Sequence, residues 1–281
     1  TGYAYDLFGN RVQKTASGET TSYTYDLNNR LISEAGAAQG QAAGKQYYYD
    51  ANGNLIHETE NVAGAPDGAP RLTLPEGSEA VASYSYNLFG KMTGYQKGDT
   101  SASYSYNGDG LRYEKTVNGV TTRHVWDGAN ITADITGTAK TTYARGAGLI
   151  FSERDGQKQY YAFNGHGDTV SVTDAQGNLL QGYDYDAFGN EKGAAQNVSN
   201  PFRYSGEYYD GETGLIYLRN RYYAPESGRF TQEDPVKDGL NWYTYCVNNP
   251  IRFIDSSGLI PTVQEAAAMA EHIYDYDKYS S

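Results

Sequence analysis

The sequence predicts an all-β protein assembled from repeated β-hairpins, and three observations predict it. A short pattern, Tyr-x-Tyr followed by Asp or Asn and then by Gly or Asn, returns at intervals near 20 residues. Tyrosine is the main apolar filler, with 29 copies against 8 Phe, 2 Trp and 2 Met in 281 residues. After most copies a second short extended stretch follows, as in RVQKTA, LISEAG and NLIHETE.

Each part of the unit has a physical reading. Tyr-x-Tyr puts two aromatics on one face of an extended strand, because side chains alternate with period two. The Asp or Asn that follows can hydrogen-bond its own downstream backbone, and the Gly or Asn beyond supplies a positive φ, so the chain reverses. The copies are YAYDLFGN at 3, YTYDLNNR at 23, YYYDANGN at 47, YSYNLFGK at 84, YSYNGDGL at 104 and YDYDAFGN at 183, with weaker ones at HVWDGANI (124) and YAFNGHGD (161). The reversals are therefore expected at Asp6, Asp26, Asp50, Asn87, Asn107, Asp127, Asn164 and Asp186. A lone hairpin is marginal in water, so successive hairpins must pair edge to edge into one long sheet. Ala35 to Lys45, Asn61 to Glu79 and Gly193 to Asn200, rich in Gly, Ala, Pro and Ser, read as loops. Repeat character resumes after each, so they are not domain linkers. A ring with a hydroxyl tip suits surfaces that are half packed and half wet, which points to a thin sheet around a shell.

Charge narrows the partners. The net charge is −12 with Lys and Arg scattered, so there is no basic stripe to neutralise phosphates and nucleic acid is excluded as a partner of this region. No apolar run reaches the roughly 20 residues of a membrane span, and Thr1 to Asn10 lacks the charged and apolar parts of a signal peptide. The first residues already read as mid-repeat, so the expectation is a piece of something longer, whose export signal lies outside it. The single cysteine, Cys246, makes no internal disulfide. His57, His124, His166 and His272 fall in no metal-ligand spacing, and no twelve-residue calcium loop is complete, so neither metal nor cofactor is expected.

Near the end the pattern changes to an ordered series: GLIYLRNRYYAP, GRF, EDP, NWYTY, NNP and DSSGL. The YxYDxxGN units resemble the YD repeats of rearrangement hotspot (Rhs) proteins, and residues 201–259 resemble the Rhs repeat-associated core domain of polymorphic toxins. The resemblance implies three parts: YD-repeat hairpins over 1–200, wound as a spiralling sheet into part of a hollow shell; a core-domain plug over 201–259; and, over 260–281, the start of a variable C-terminal effector or a stub. It also implies that the chain encloses that effector and cuts itself between Leu259 and Ile260. The two aspartates assigned to this cut match Asp234 of EDP and Asp255 of DSSG, and Gly258 closes the motif before the bond. An immunity protein for the effector, a role in competition between bacteria and a secreted or cell-surface location are implied in the same way.

The chemistry asks for such a pair. Two carboxyl groups held close cannot both ionise, so they share one proton and serve as one acid and one base. The base activates a water, and the acid protonates the leaving nitrogen. A bond four residues beyond Asp255 is already confined near the site, which replaces much of the entropic cost of bringing reactants together. The expected enzyme is at most a single-turnover aspartyl self-protease. One departure stands out: the family commonly has Asp-Pro-x-Gly where this chain has Asp255-Ser256-Ser257-Gly258, so proline's fixed φ is missing from the turn that presents the bond. Arg229, Arg219 and Arg221 either orient a carboxylate or pair across strands, with pairing favoured. Asn248-Asn249-Pro250 reads as a turn before the strand IRFI.

Beyond Leu259, Thr262 with Glu265 forms a capping box, and Val263, Ala266, Ala267, Ala270, Ile273 and Tyr274 have helical spacing, so a short C-terminal helix is expected. The competing reading is a cell-surface or wall-associated repeat protein that binds carbohydrate or a partner surface and does not cut itself.

Overall fold

A computed structural model describes residues 1–36, 44–60, 72–193 and 199–263. The protein is almost entirely β, founded on a large antiparallel sheet, as the repeats predict. The chain divides into two compact units: Thr1–Tyr104 with Phe230–Thr244, and Ser105–Arg229 with Tyr245–Ser281.

In the first unit the strands Gly2–Tyr5, Arg11–Ala16, Glu19–Tyr25, Leu31–Gly36, Gly44–Tyr49, Leu55–Glu60, Ala82–Tyr86 and Met92–Lys97 each pair antiparallel with the next, and the last pairs with Thr100–Tyr106. In the second unit the same ladder runs through Arg112–Val117, Val120–Asp127, Asn130–Thr136, Ala139–Arg145, Leu149–Arg154, Gln157–Phe163, Thr169–Thr173 and Leu179–Gly182.

Two kinds of reversal join the strands. In the longer kind the Asp6 carboxylate accepts from the backbone N–H of Phe8 (2.9 Å) and Asn10 (2.8 Å), while the Asn10 amide donates to its other oxygen at 3.0 Å. Gly9 takes φ +75°, which a glycine adopts without a Cβ penalty. The same pair of backbone bonds recurs at Asp26, Asp50, Asn87, Asn107, Asn164 and Asp186, seven of the eight expected positions. Asp127 is the exception. Gly128 follows it directly at φ +56°, so the chain closes after two residues, with Asp127 opposite Asn130. Asp174 makes the long reversal instead, accepting from Gln176 and Asn178; no Tyr-x-Tyr precedes it, which is why alignment on tyrosine misses it. The shorter kind is clearest at Ser17-Gly18, Asn118-Gly119 and Asp155-Gly156, where both residues have positive φ, as a hairpin turn matched to strand twist requires.

The tyrosines share a face as expected in Ala82–Tyr86, where Tyr84 is buried, Ser85 exposed and Tyr86 half-buried. In Gly44–Tyr49 the alternation fails: Tyr47, Tyr48 and Tyr49 are all buried, and the Tyr48 hydroxyl donates to Gln46 Oε1 at 3.1 Å. The register slips just before the second tyrosine of the motif, between Ala4 and Tyr5, Thr24 and Tyr25, Tyr48 and Tyr49, and Ser85 and Tyr86. Each of these four copies thus carries a bulge that bends the strand into its turn. Hydroxyls reach backbone carbonyls, as in half-buried Tyr25 to Arg11 (2.8 Å) and buried Tyr243 to Gly53 (2.8 Å) and Tyr223 to Phe188 (2.7 Å), so a ring fills the interior without stranding its polar tip.

The loop expected from Ala35 to Lys45 is shorter than its composition suggests: Ala35 pairs with Gly44 and Glu34 with Lys45, and 37–43 lie outside the described residues. Thr262 and Val263 do not open a helix. They pair as a short strand with Ile254 and Phe253; Glu265 of the capping pattern and the rest of the expected helix, from residue 264, lie outside the described residues.

Candidate functional site

In the second unit a small sheet of Tyr208–Asp210, Leu215–Leu218 and Arg221–Ala224 lies beside the repeat ladder. Its anchor is Arg112, fully buried on the ladder strand Arg112–Val117. Arg112 grips Asp210 with both terminal nitrogens, Nη2 to Oδ1 at 2.9 Å, and its Nη1 reaches the Tyr222 hydroxyl at 3.1 Å. Lys115 Nζ adds a contact to Asp210 at 2.9 Å and pairs with Glu212 at 3.1 Å. Burial alone would raise the Asp210 carboxyl, but the adjacent charges of Arg112 and Lys115 outweigh it and hold the group down to about 2.

The tip of the hairpin between Leu215–Leu218 and Arg221–Ala224 holds the end of the expected core domain. Three consecutive residues grip three consecutive carbonyls. Arg219 Nη1 donates to Ser256 O at 2.6 Å, the Asn220 amide to Ser257 O at 3.1 Å, and Arg221 Nε to Gly258 O. Gly258 sits at φ +70°, where an added Cβ would lie 2.7 Å from Leu218 O and 3.0 Å from Arg221 N, so only glycine fits. On the other side, His166 lies against Phe253 O at 3.4 Å and against Asp168 Oδ1 at 2.8 Å. Burial opposes a charge on His166, but Asp168 and the backbone carbonyls prevail and its pKa is raised.

Within this frame Asp255 is buried, 2% exposed, and its Oδ1 accepts from Ser257 Oγ at 3.0 Å and from the Leu259 N–H at 3.2 Å. Leu259 is half-buried and Ile260 is 60% exposed, so the bond between them lies at the boundary with solvent, inside the loop joining Phe253–Ile254 to Thr262–Val263. Glu207 is also buried here and bonded to Arg219; burial raises its pKa, Arg219 opposes, and the charge of Asp255 adds to the rise.

Asp234 belongs to the first unit. It is 5% exposed; its N–H donates to Trp242 O at 3.1 Å and its Oδ1 accepts from the Val236 N–H at 2.9 Å. Arg229 is buried in the two-residue strand Arg229–Phe230. Asn248-Asn249-Pro250 is a turn as read, with Asn249 O accepting from Arg252 and Phe253, and only the last two residues of IRFI are strand.

Arg219 and Arg221 thus hold backbone next to the bond, a role not separated in the sequence from strand pairing. Asn220, Ser257 and Glu207 join the site without having been singled out. The signal for Asn220 was present: it is one of two residues at the tip between LIYL and RYYA, where a hairpin exposes its donors. Among the described residues no three His, Cys, Asp or Glu side chains gather as a metal site, and no helix is long and apolar enough to cross a membrane.

Comparison with known proteins gives concordant matches. The family described as Teneurin YD-shell matches residues 133–253, and the RHS Repeat family matches 5–42. The tRNA3(Ser)-specific nuclease WapA of Bacillus spizizenii is 32% identical over 278 residues, covering 91% of this chain and 11% of WapA. The toxin protein Tse5 of Pseudomonas aeruginosa is 26% identical over 328 residues, covering 92% of this chain and 24% of Tse5. This chain therefore spans between a tenth and a quarter of the length of these two relatives. The crystal structure of TcdB2-TccC3 superposes with a TM-score of 0.52 at 22% identity, over 92% of this chain and 17% of that one, a likeness of fold.

Proposed function

The chain belongs to the Rhs/YD-repeat shell proteins, and we propose that it is the closing part of a toxin shell that houses a C-terminal effector and releases it by cutting itself after Leu259. In this reading 1–200 form shell wall, 201–259 the plug, and 260–281 the start of the effector or a stub. Asp234 and Asp255 are the paired carboxylates. One takes a proton from water as it attacks the Leu259 carbonyl, and the other gives a proton to the departing Ile260 nitrogen. The observation that carries the proposal is the presentation of the bond: Arg219, Asn220 and Arg221 fix the carbonyls of Ser256, Ser257 and Gly258, while Asp255 accepts from the Leu259 N–H. That rigid grip replaces the missing proline of the family motif.

WapA and Tse5 are a nuclease and a toxin by name, which supports a toxic effector, a secreted or delivered protein, a use in competition between bacteria and a dedicated immunity protein. The test is a chain carrying a reporter fused after Ser281. Denaturing mass spectrometry should find two pieces, the first ending at Leu259, and a single intact chain from Asp234→Asn and from Asp255→Asn with the fold retained. An uncut wild type that stays uncut as Ser256→Pro would overturn the proposal.

A second reading, a non-cutting surface protein that binds carbohydrate, draws support from a cavity of about 690 Å³ in the second unit. Tyr143, Tyr161, Tyr209, Gln157, Asn200 and Arg203 line it, a mixture of rings and polar groups that suits sugar. An uncut chain that binds a glycan array would favour this reading.

A further inference from the structure

The hydroxyl of Ser257 occupies a position that the paired-carboxylate scheme leaves undescribed. Ser257 Oγ donates to Asp255 Oδ1 at 3.0 Å and accepts from the N–H of Ile260 at 3.4 Å and of Leu259 at 3.1 Å. One atom therefore bridges the carboxylate and the nitrogen of the Leu259–Ile260 bond. Asp255 itself makes its backbone contact one residue earlier, to the Leu259 N–H at 3.2 Å, so the hydroxyl reaches a step further along the chain than the carboxylate. The loop is held from outside by the grip of Asn220 on Ser257 O, 3.1 Å from its amide and 3.3 Å from its N–H, which fixes the serine backbone with its Oγ between Asp255 and the Ile260 N–H.

We propose that Ser257 is a catalytic residue of the self-cleavage, relaying the proton from Asp255 to the leaving nitrogen; this rests on the reading of the chain as a self-cutting shell. Water oxygen bonds to the Leu259 carbonyl carbon, and the proton that water loses goes to the other carboxylate of the proposed pair. As the bond from that carbon to Ile260 N breaks, the electron pair stays on nitrogen. Attack makes the nitrogen tetrahedral and frees its lone pair; with Asp255 protonated and donating to Ser257 Oγ, the serine O–H turns to that lone pair, so the nitrogen takes the serine proton and the oxygen takes the proton held by Asp255. The products are a Leu259 carboxyl end and an Ile260 amine, with the serine unchanged. A hydroxyl serves here because it donates and accepts at once, which a carboxylate cannot do for two partners on opposite sides.

The experiment uses the reporter-fused chain, refolded from denaturant so that the single turnover can be timed. Ser257→Thr keeps the hydroxyl and Ser257→Val keeps nearly the same shape without it, so the pair isolates the hydroxyl from the packing. Thr should cut within a few-fold of wild type, and Val should be slowed by about 100-fold or more, the usual range for a lost proton transfer. Rates in mixtures of light and heavy water should curve for wild type and Thr, because two protons move together, and should be linear for Val. A Val variant that folds and cuts as fast as Thr would overturn the relay while leaving self-cleavage intact. Wild type that does not cut, or that cuts regardless of Asp255→Asn, would overturn the underlying reading and the relay with it.

Discussion

Replacing Asp210 by Asn tests whether the small sheet is held to the repeat ladder by charge. Asp210 is fully buried and takes Arg112 in a two-pronged contact, with Lys115 as a second cation 2.9 Å away. The amide keeps the volume and removes the charge, leaving Arg112 buried with no anion on the atoms it grips. Lys115 retains Glu212 at 3.1 Å and recovers part of its loss, so the cost falls chiefly on Arg112. Removing one partner of such a buried pair costs about 3–5 kcal/mol. Against a total stability of about 5–15 kcal/mol, that is a large fraction. Urea unfolding followed by tyrosine fluorescence should move its midpoint down by about 1–3 M. The double variant Arg112→Met with Asp210→Leu should recover most of the loss, because an apolar pair of similar size needs no desolvation of charge. A loss below about 1 kcal/mol in Asp210→Asn, or a double variant worse than the single, would refute the reasoning.

Two further outcomes follow from the site. Gly258→Ala places a methyl 2.7 Å from Leu218 O at a positive φ, so it should destabilise by about 1–3 kcal/mol and also slow the cut, since Gly258 O must leave Arg221; unchanged urea midpoint and rate would contradict the packing described. The His166–Asp168 contact sets a pH window. His166 is raised on folding, so its contribution is complete below its unfolded value and fades as pH rises through the folded one; Asp168 is lowered despite burial, so its contribution is present above its unfolded value and fades in acid. The difference in melting temperature between wild type and His166→Asn should therefore be greatest between about pH 4 and 6.5 and shrink on both sides. A difference constant from pH 3 to 9 would count against it.

The repeats were legible because their turns are chemically local. A carboxylate or amide with a donor two and four residues on announces itself in any single copy, and seven of eight such positions behave as read. Asp127 misleads because its strand looks like a repeat while Gly128 closes the chain early, and Asp174 hides because the turn signal comes without the tyrosines. The burial of three successive tyrosines at 47–49 was illegible for a different reason: Tyr48 is accommodated by a hydroxyl bond to Gln46, a detail of packing and not of period. The strand at Thr262–Val263 is set by a non-local partner, Phe253–Ile254, which the local pattern does not encode. Asp255, Leu259 and Arg221 could be named from the motif series, but the matching of Arg219, Asn220 and Arg221 to three successive carbonyls depends on a hairpin tip meeting a segment 37 residues later, which spacing alone does not encode.

The long reversal is closed by five residues, 6 to 10 in its first copy, through bonds from one side chain to its own backbone. A stretch of gene encoding such a turn with its two strands can be duplicated or deleted, and the altered chain still reverses where it should. Copy number is therefore cheap to change along the ladder. The tip at Arg219–Arg221 and the loop at Asp255–Leu259 are the reverse case, since each has meaning only against the other. A change of repeat number leaves every other turn intact, while a change at the tip must be matched in the loop it holds.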